Sequence, residues 1–198
     1  MMIRSKSTKI LLLLAFVFSW GCAATTPSVG DNVHYGNAKD VEQVTTEFGS
    51  TDLQLIAEAM ARSLAQSASG NKEKILVTIA DVKNKTDEYI DTKSITDSIR
   101  VQLLKGGTMR FATDLSDMKS QTDELNRQDS GLYKKETRAK MGKMEGAQYR
   151  IEGNITSIVK RADNIKDVYY KFTLMMTNIE SGTIEWTDEK EIRKTAKR

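Results

Sequence analysis

Cys22 is the only cysteine of the chain, and its position suggests that its thiol is modified rather than buried. An apolar run from Ile10 to Phe18 comes shortly before it. As a helix this run would rise only about 14 Å, about half of a membrane's hydrocarbon thickness. Three basic residues precede the run, namely Arg4, Lys6 and Lys9. This order is typical of a secretory signal, so we predict that residues 1–21 are a signal peptide.

The residues around the cysteine resemble the lipobox of bacterial lipoproteins, in which the thiol receives a diacylglycerol before cleavage makes the cysteine residue one. Gly21 and Cys22 match that pattern, whereas Ser19 and Trp20 differ from the usual leucine and small residue. Each buried acyl methylene contributes about 0.8 kcal/mol, so several chains give lasting attachment. If the chain resembles enterobacterial lipoproteins in its sorting, Ala23 in place of aspartate implies transfer to the outer membrane. We therefore predict lipid attachment at Cys22 on a protein that faces the periplasm.

Side chains suited to catalysis are scarce in the folded part of the sequence. His34 is the only histidine and lies beside a polar stretch, so a serine nucleophile would lack a base and zinc its usual ligands. A pair of carboxylates could still hydrolyse a glycan. The acidic residues near the first predicted strand are Asp81, Asp87, Glu88, Asp91 and Asp97. We interpret Asp97 and Ser94 as helix caps and the others as solvated, and expect no enzyme activity, metal or cofactor.

Charge and composition indicate one domain with a net charge near zero, preceded in the chain by a short tether. The chain has 30 Lys plus Arg and 27 Asp plus Glu, and three of the basic residues lie before Cys22. The mature chain is therefore balanced, which gives no reason to expect nucleic-acid binding. Residues 22–37 have few large apolar side chains and are predicted to be a lipidated, disordered tether. Residues 38–198 are long enough for one domain with a core.

Hydrophobic periodicity predicts alternating helices and strands in the first half of this domain. Apolar residues from Leu53 to Leu64 recur at steps of three and four, which indicates an amphipathic helix that ends near Gly70. A nearly continuous apolar run from Ile75 follows, as in a strand covered on both faces. A second helix is predicted from Ser94 to Gly106, and a short strand begins at Met109.

The second half changes to a period of two. The middle region, residues 114–146, is polar and is predicted to form helix in two pieces. Alternating residues then predict two strands between Tyr149 and Ser181 and a third after Gly182, joined as an antiparallel meander. We predict an α/β fold, with a mixed sheet and helices on both faces.

Two surface features are candidate partner-binding sites. Asn84, Lys85 and Thr86 leave the end of the first strand, where loops often bind ligands or partners, although Asn84 could simply form a local turn. Lys134, Lys135 and Arg138 form a basic group, and more basic residues end the chain. These residues could contact an acidic partner or the anionic cell wall, or they could be a solvated face and a frayed tail.

Several segments resemble those of the LpoB family, outer-membrane lipoproteins that activate class A penicillin-binding proteins. The resemblance begins near Tyr35 and is carried by YGNAKDVEQVTTEFGSTDLQLIAEAM, VTIADVKNKTDEYIDT, EGAQYRIEGNI and ESGTIEW. It implies a globular domain similar to the N-terminal domain of TolB, an α/β sandwich. Enteric members carry a long proline-rich tether, whereas Pro27 is the only proline here.

The resemblance implies a non-catalytic, monomeric lipoprotein that contacts a regulatory domain of a bifunctional peptidoglycan synthase and promotes cell-wall synthesis. An alternative of another class is an assembly or secretion lipoprotein resembling the curli-export family. That function would require ring-shaped oligomers, so the oligomeric state distinguishes the two hypotheses.

Overall fold

The computed structural model describes residues 36–70 and 73–197. Val41–Arg198 forms one compact unit. The predicted signal peptide, Cys22 and His34 lie outside the described residues, and the boundary at residue 38 stays a prediction. The elements in chain order are α1 (Ser50–Ala68), β1 (Ile75–Ile79), β2 (Lys83–Lys85), α2 (Thr92–Lys105), β3 (Met109–Phe111), α3 (Met118–Asp129), β4 (Tyr149–Ala162), β5 (Ile165–Asn178) and β6 (Ile184–Lys197).

The predicted α/β class and mixed sheet are confirmed. Five strands follow the order β3-β1-β4-β5-β6, and the short β2 also pairs with β4. β1 is parallel to both β3 and β4, whereas β4, β5 and β6 form the predicted antiparallel meander. Leu76 and Val77 are neighbours in β1 and both are buried, as expected for a strand covered on both faces.

One core lies between the helices and one face of the sheet. Ile56 and Met60 of α1, Ile99 of α2 and Phe172 of β5 belong to the same cluster of buried residues. Both packed helices therefore cover one face of the sheet, where the sequence led us to expect helices on both. The third helix does not form a second layer, because α3 has no buried residue.

Three local features differ from the sequence predictions. The N-cap of α2 is Asp91 rather than Ser94, because the Ser94 N–H donates to Asp91 Oδ1 at 3.1 Å. The middle region forms one helix, α3, and not two. The C-terminal residues are not a frayed tail, since β6 runs to Lys197 and pairs with β5 along its length. The third strand was predicted after Gly182, but its extension through the basic last residues was not, because charged side chains alternate there with partly buried ones.

Gly153 is required where β4 and β5 approach closely. A Cβ at this position would overlap the carbonyl oxygen of Thr173 and lie 2.8 Å from Leu174 Cδ2. We expect Gly153→Ala to lower the free energy of unfolding by about 2 kcal/mol or more, because the sheet backbone must move to admit the methyl group. Chemical denaturation measures this change.

Gly146→Ala is the matched control, because nothing lies within 4 Å of its added Cβ. Its stability should stay within about 0.5 kcal/mol of the parent. Equal stabilities for the two variants would contradict the packing described for β4 and β5.

Candidate functional site

The segment that follows β2 forms a turn closed by its own side chains. Asn84 Oδ1 accepts hydrogen bonds from the Thr86 N–H at 3.0 Å and the Thr86 hydroxyl at 2.8 Å. Asn84 Nδ2 donates to the Glu88 carbonyl oxygen at 2.8 Å. The structure thus gives Asn84 and Thr86 a positioning role, as the turn interpretation of the sequence anticipated. Lys85 and Tyr89 are exposed on this turn, Tyr89 to 94%.

The Glu88 side chain anchors the turn to the interior of the domain. Its carboxylate accepts the Phe48 N–H at 2.9 Å and the Tyr170 hydroxyl at 2.6 Å. Tyr170 is fully buried in β5, and its hydroxyl also lies 3.0 Å from the Thr46 carbonyl oxygen. Burial, reinforced by the nearby Glu88 carboxylate, raises the pKa of Tyr170 well above its ordinary value. The loop after β2 and the segment before α1 are therefore held together through one buried tyrosine.

A buried ion pair continues this anchor to the last strand. Asp52, in the first turn of α1, pairs with Lys194 of β6, and the two side chains are 5% and 11% exposed. Asp52 Oδ2 also accepts the Gly49 N–H at 2.8 Å, and Lys194 Nζ donates to the Glu47 carbonyl oxygen at 2.6 Å. Each charge is thus both paired and hydrogen-bonded, as burial demands. We call Asp52, Glu88, Tyr170 and Lys194 the polar anchor.

The anchored loop faces the tip of the β4–β5 hairpin across a surface depression of about 430 Å³. We define the loop–hairpin surface by four residues that line it, two on the loop and two on the hairpin: Asp87, Tyr89, Arg161 and Lys166. Neither Arg161 nor Lys166 forms an ion pair with any described residue. The surface therefore combines unpaired charges of both signs, on Arg161, Lys166 and Asp87, with one highly exposed aromatic ring, a combination suited to binding another protein.

The second predicted group lies elsewhere, in the turns that follow α3. Lys134 and Lys135 are exposed there, and Arg138 pairs with Asp129 at 3.0 Å. Within residues 36–70 and 73–197, no hydrogen bond or ion pair joins this group to the loop after β2. The two predicted groups are therefore separate surfaces rather than parts of one site.

The acidic residues near α2 have structural roles. Asp97 is not a cap, because its carboxylate pairs with Arg100 at 2.8 Å and with Lys93 at 3.4 Å. Arg100 also pairs with Asp114 at 2.6 Å and lies over the Phe111 ring at 5.8 Å. Two carboxylates thus neutralise this guanidinium beside a mostly apolar groove of about 680 Å³ at the ends of β1 and β3. The arrangement fixes the chain after β3, while Asp81 lines the same groove without an ion pair to any described residue.

The described residues also limit other kinds of site. Within residues 36–70 and 73–197, no group of three or more His, Cys, Asp or Glu side chains could hold a metal ion. In the same ranges, none of the helices has the length and hydrophobicity needed to cross a bilayer.

Sequence reasoning missed most of the anchor and half of the loop–hairpin surface. Tyr170 belongs to the alternating pattern that predicts its strand, and a buried tyrosine hydroxyl requires a partner, so one anchor contact could have been sought. Asp52 and Lys194 are 142 positions apart, and no local pattern connects them. Arg161 and Lys166 join the site only because the hairpin brings its tip to the loop.

Comparison with known proteins identifies the family. The family model described as "Peptidoglycan-synthase activator LpoB" matches residues 52–192, well over half of the chain. A search of curated proteins gave no match.

Solved structures include several that resemble the chain at low identity. The LpoB C-terminal domain from Escherichia coli is 14% identical with a TM-score of 0.41, and the match covers 69% of this chain and 97% of that one. The corresponding domain from Salmonella enterica is 12% identical with a TM-score of 0.39, over 72% and 96% of the two chains. The NMR structure of E. coli LpoB is 14% identical with a TM-score of 0.40, over 90% and 87%.

The buried tyrosine provides a test of the anchor. We expect Tyr170→Phe to lower the free energy of unfolding at pH 7 by about 1–3 kcal/mol, because the Glu88 carboxylate loses a buried donor. The raised pKa of Tyr170 also predicts a pH effect. Its stabilisation is complete below the unfolded pKa of about 10 and declines as the pH rises above that value. The variant should therefore lose stability less steeply above pH 10 than the parent.

Tyr149→Phe is the control, because Tyr149 packs against the core but its hydroxyl has no hydrogen bond among the described residues. Denaturant unfolding across this pH range measures both effects. The same pH 7 stability and the same alkaline slope in both variants would rule out the anchor.

Proposed function

We propose that this chain, which belongs to the LpoB family of peptidoglycan-synthase activators, binds a bifunctional synthase of the class A penicillin-binding proteins and raises its activity without catalysing a reaction itself. The observation that carries the proposal is the family match over residues 52–192. This range begins in the first turn of α1 and ends in β6, so it includes Asp52, Glu88 and Tyr170 of the polar anchor and the whole loop–hairpin surface, while Lys194 lies two residues beyond it.

The loop–hairpin surface is the proposed contact with the synthase. Tyrosine is enriched among residues that contribute most to protein interfaces, and Tyr89 stands almost fully exposed on an anchored loop. Arg161 and Lys166 have no described ion-pair partner, so they favour an acidic surface on the synthase and speed its encounter. Lys85 lies on the same turn and would add to this positive charge.

Activation requires that the chain bind the active conformation of the synthase more tightly than the idle one. A coupling free energy of about 1–3 kcal/mol corresponds to roughly 5-fold to 150-fold stimulation. The anchor supports such coupling because Glu88 already fixes the loop, so little conformational entropy is lost when the partner binds.

The proposed location is the periplasmic face of the outer membrane. The signal-like residues 1–21 and the lipobox-like segment before Cys22 support lipid attachment at that cysteine. A tether of residues 22–37 would then connect the lipid to the domain. A tether of this length would keep the domain near the outer membrane.

We expect a soluble form that begins at Ala23 to bind the cognate synthase and to increase glycan polymerisation. The Tyr89→Ala variant should bind about tenfold more weakly, because truncating an aromatic interface residue costs about 1–2 kcal/mol of binding free energy. Binding is measured by surface plasmon resonance and polymerisation with lipid-linked substrate. Leu115→Ala is the matched control, because Leu115 is 88% exposed but lies after β3.

Two outcomes would count against this proposal. If the chain at high molar excess neither binds nor stimulates the synthase, the proposed activator function is wrong. If Tyr89→Ala and Leu115→Ala weaken binding equally, the loop–hairpin surface is not the contact with the synthase. Sedimentation of the same preparation as a ring-shaped oligomer, rather than a monomer, would favour the assembly alternative.

The lipid anchor is tested separately in cells. We expect the mature chain to carry diacylglycerol and acyl groups on Cys22 and to fractionate with the outer membrane. Cys22→Ser should accumulate as an unacylated, uncleaved precursor that no longer fractionates with the outer membrane, because cleavage follows lipid attachment and no acyl chains are present to enter that bilayer. Intact-mass spectrometry of the parent showing a free thiol would contradict the anchor.

A further inference from the structure

The chain after α3 forms an exposed basic segment that the proposed synthase contact does not use. We call residues 131–144 the basic arm. It contains neither helix nor strand, and all of its residues except Arg138 are exposed. α3 before it buries no residue in the core, so the arm projects from an element that is itself on the surface.

The arm carries positive charge that the domain does not neutralise. Arg138 is paired with Asp129 at 3.0 Å. The arm has one acidic residue, Glu136. Four lysines in the arm form no ion pair with any described residue, namely Lys134, Lys135, Lys140 and Lys143.

Apolar side chains alternate with these lysines and are also exposed. Leu132 is 85% exposed, and Met141 and Met144 are 51% and 52% exposed. Tyr133 is 36% exposed, with the Arg127 guanidinium 5.6 Å from the centre of its ring. Large apolar groups are costly to leave in water, so their concentration in one short segment indicates a surface that is covered in use.

Contacts within the arm and just after it attach its backbone to neighbouring elements. The Ala139 N–H, in the middle of the arm, donates to Gln128 Oε1 of α3 at 2.7 Å. Glu145, immediately after the arm, pairs with Arg110 of β3 at 2.5 Å. The arm is therefore attached at two points, and its lysines and apolar side chains lie within one short exposed segment.

We propose that the basic arm docks on an anionic lipid bilayer. Lysine head groups would lie among the lipid phosphates while their stems and the neighbouring leucine, tyrosine and methionines enter the boundary of the acyl chains. The positive charge of the arm alone would also allow it to bind a soluble polyanion. The interleaved apolar residues favour the bilayer over such a polyanion, because a polyanion offers no apolar surface on which they can leave water.

This docking is independent of the proposed synthase contact. The arm follows α3, whereas the loop–hairpin surface is built from the loop after β2 and the β4–β5 tip. It would also act together with a lipid anchor at Cys22, yet it does not require one. The test therefore uses the unlipidated chain that begins at Ala23, which retains the compact unit Val41–Arg198.

Vesicle sedimentation tests the proposal. The chain should bind vesicles of phosphatidylglycerol and phosphatidylethanolamine and not vesicles of phosphatidylcholine. A variant with Lys134→Gln, Lys135→Gln, Lys140→Gln and Lys143→Gln should bind more weakly by about fivefold per lysine. Binding by the parent should also decline as salt is raised, because salt screens the attraction.

The matched control removes four other unpaired lysines, through Lys83→Gln, Lys85→Gln, Lys160→Gln and Lys166→Gln. It has the same net charge as the arm variant and should retain vesicle binding within about threefold of the parent. Equal losses in both variants would show that net charge alone drives binding and would overturn the proposal.

The apolar contribution is measured with Leu132→Ser combined with Met141→Ser. We expect this variant to bind anionic vesicles at least tenfold more weakly, although its charge is unchanged. Unaltered binding, or failure of the parent to bind anionic vesicles, would overturn the proposal. Capture of the parent, but not the arm variant, on immobilised polyglutamate without vesicle binding would instead assign the arm to an acidic protein.

Circular dichroism and denaturant unfolding accompany every variant. All substituted residues are exposed or partly exposed, so the variants should unfold with the stability of the parent. Full synthase stimulation by the arm variant would show that loss of lipid binding leaves the activator function intact.

Discussion

Two opposite charges withdrawn from water, Asp52 and Lys194, impose the constraint on which the rest of the domain depends. Their side chains are almost fully buried, so neither can lose its partner without leaving an uncompensated charge, a change that costs about 3–5 kcal/mol in other proteins. The pair joins the first turn of α1 to the last strand of the sheet. The Glu88–Tyr170 hydrogen bond adds the loop after β2 to the same region. Residues from four distant parts of the chain are therefore placed by one connected set of polar contacts.

Some polar side chains of this domain are held by structural contacts, whereas other side chains are exposed and unpaired. Side chains that might have acted chemically, such as Glu88 and Asp97, are already bound to Tyr170 and Arg100. Among the described residues, those without an ion-pair or hydrogen-bond partner include Tyr89, Lys166 and the four unpaired lysines of the arm. Exposed side chains of these types are suited to contacts with other molecules.

The elements could be predicted from the sequence because their signals are local. The apolar period of α1 and the alternation in β5 follow directly from burial on one face, and both were found. β6 was only partly recognised, because its inward positions include Lys194, whose burial depends on Asp52. The sequence did not reveal that α1 and α2 share one face of the sheet, since a helix's periodicity shows that it has an apolar face but not which surface covers it. The candidate site could be predicted only in part for the same reason. The turn at Asn84 has a local sequence signature, whereas Arg161 and Lys166 are brought next to it only by the tertiary fold.

A rigid loop is useful to an activator for an energetic reason. The free energy available to shift a partner between two conformations is the difference between the affinities for those conformations, and ordering costs reduce the affinity for both. Glu88 holds the Tyr89 loop through a buried tyrosine and the backbone of Phe48, so its shape is set before any partner arrives. A preformed shape can fit one conformation of the synthase and clash with the other, whereas a flexible loop would adapt to both and discriminate less. The buried polar contacts thus connect the stability of the fold to the selectivity that activation requires.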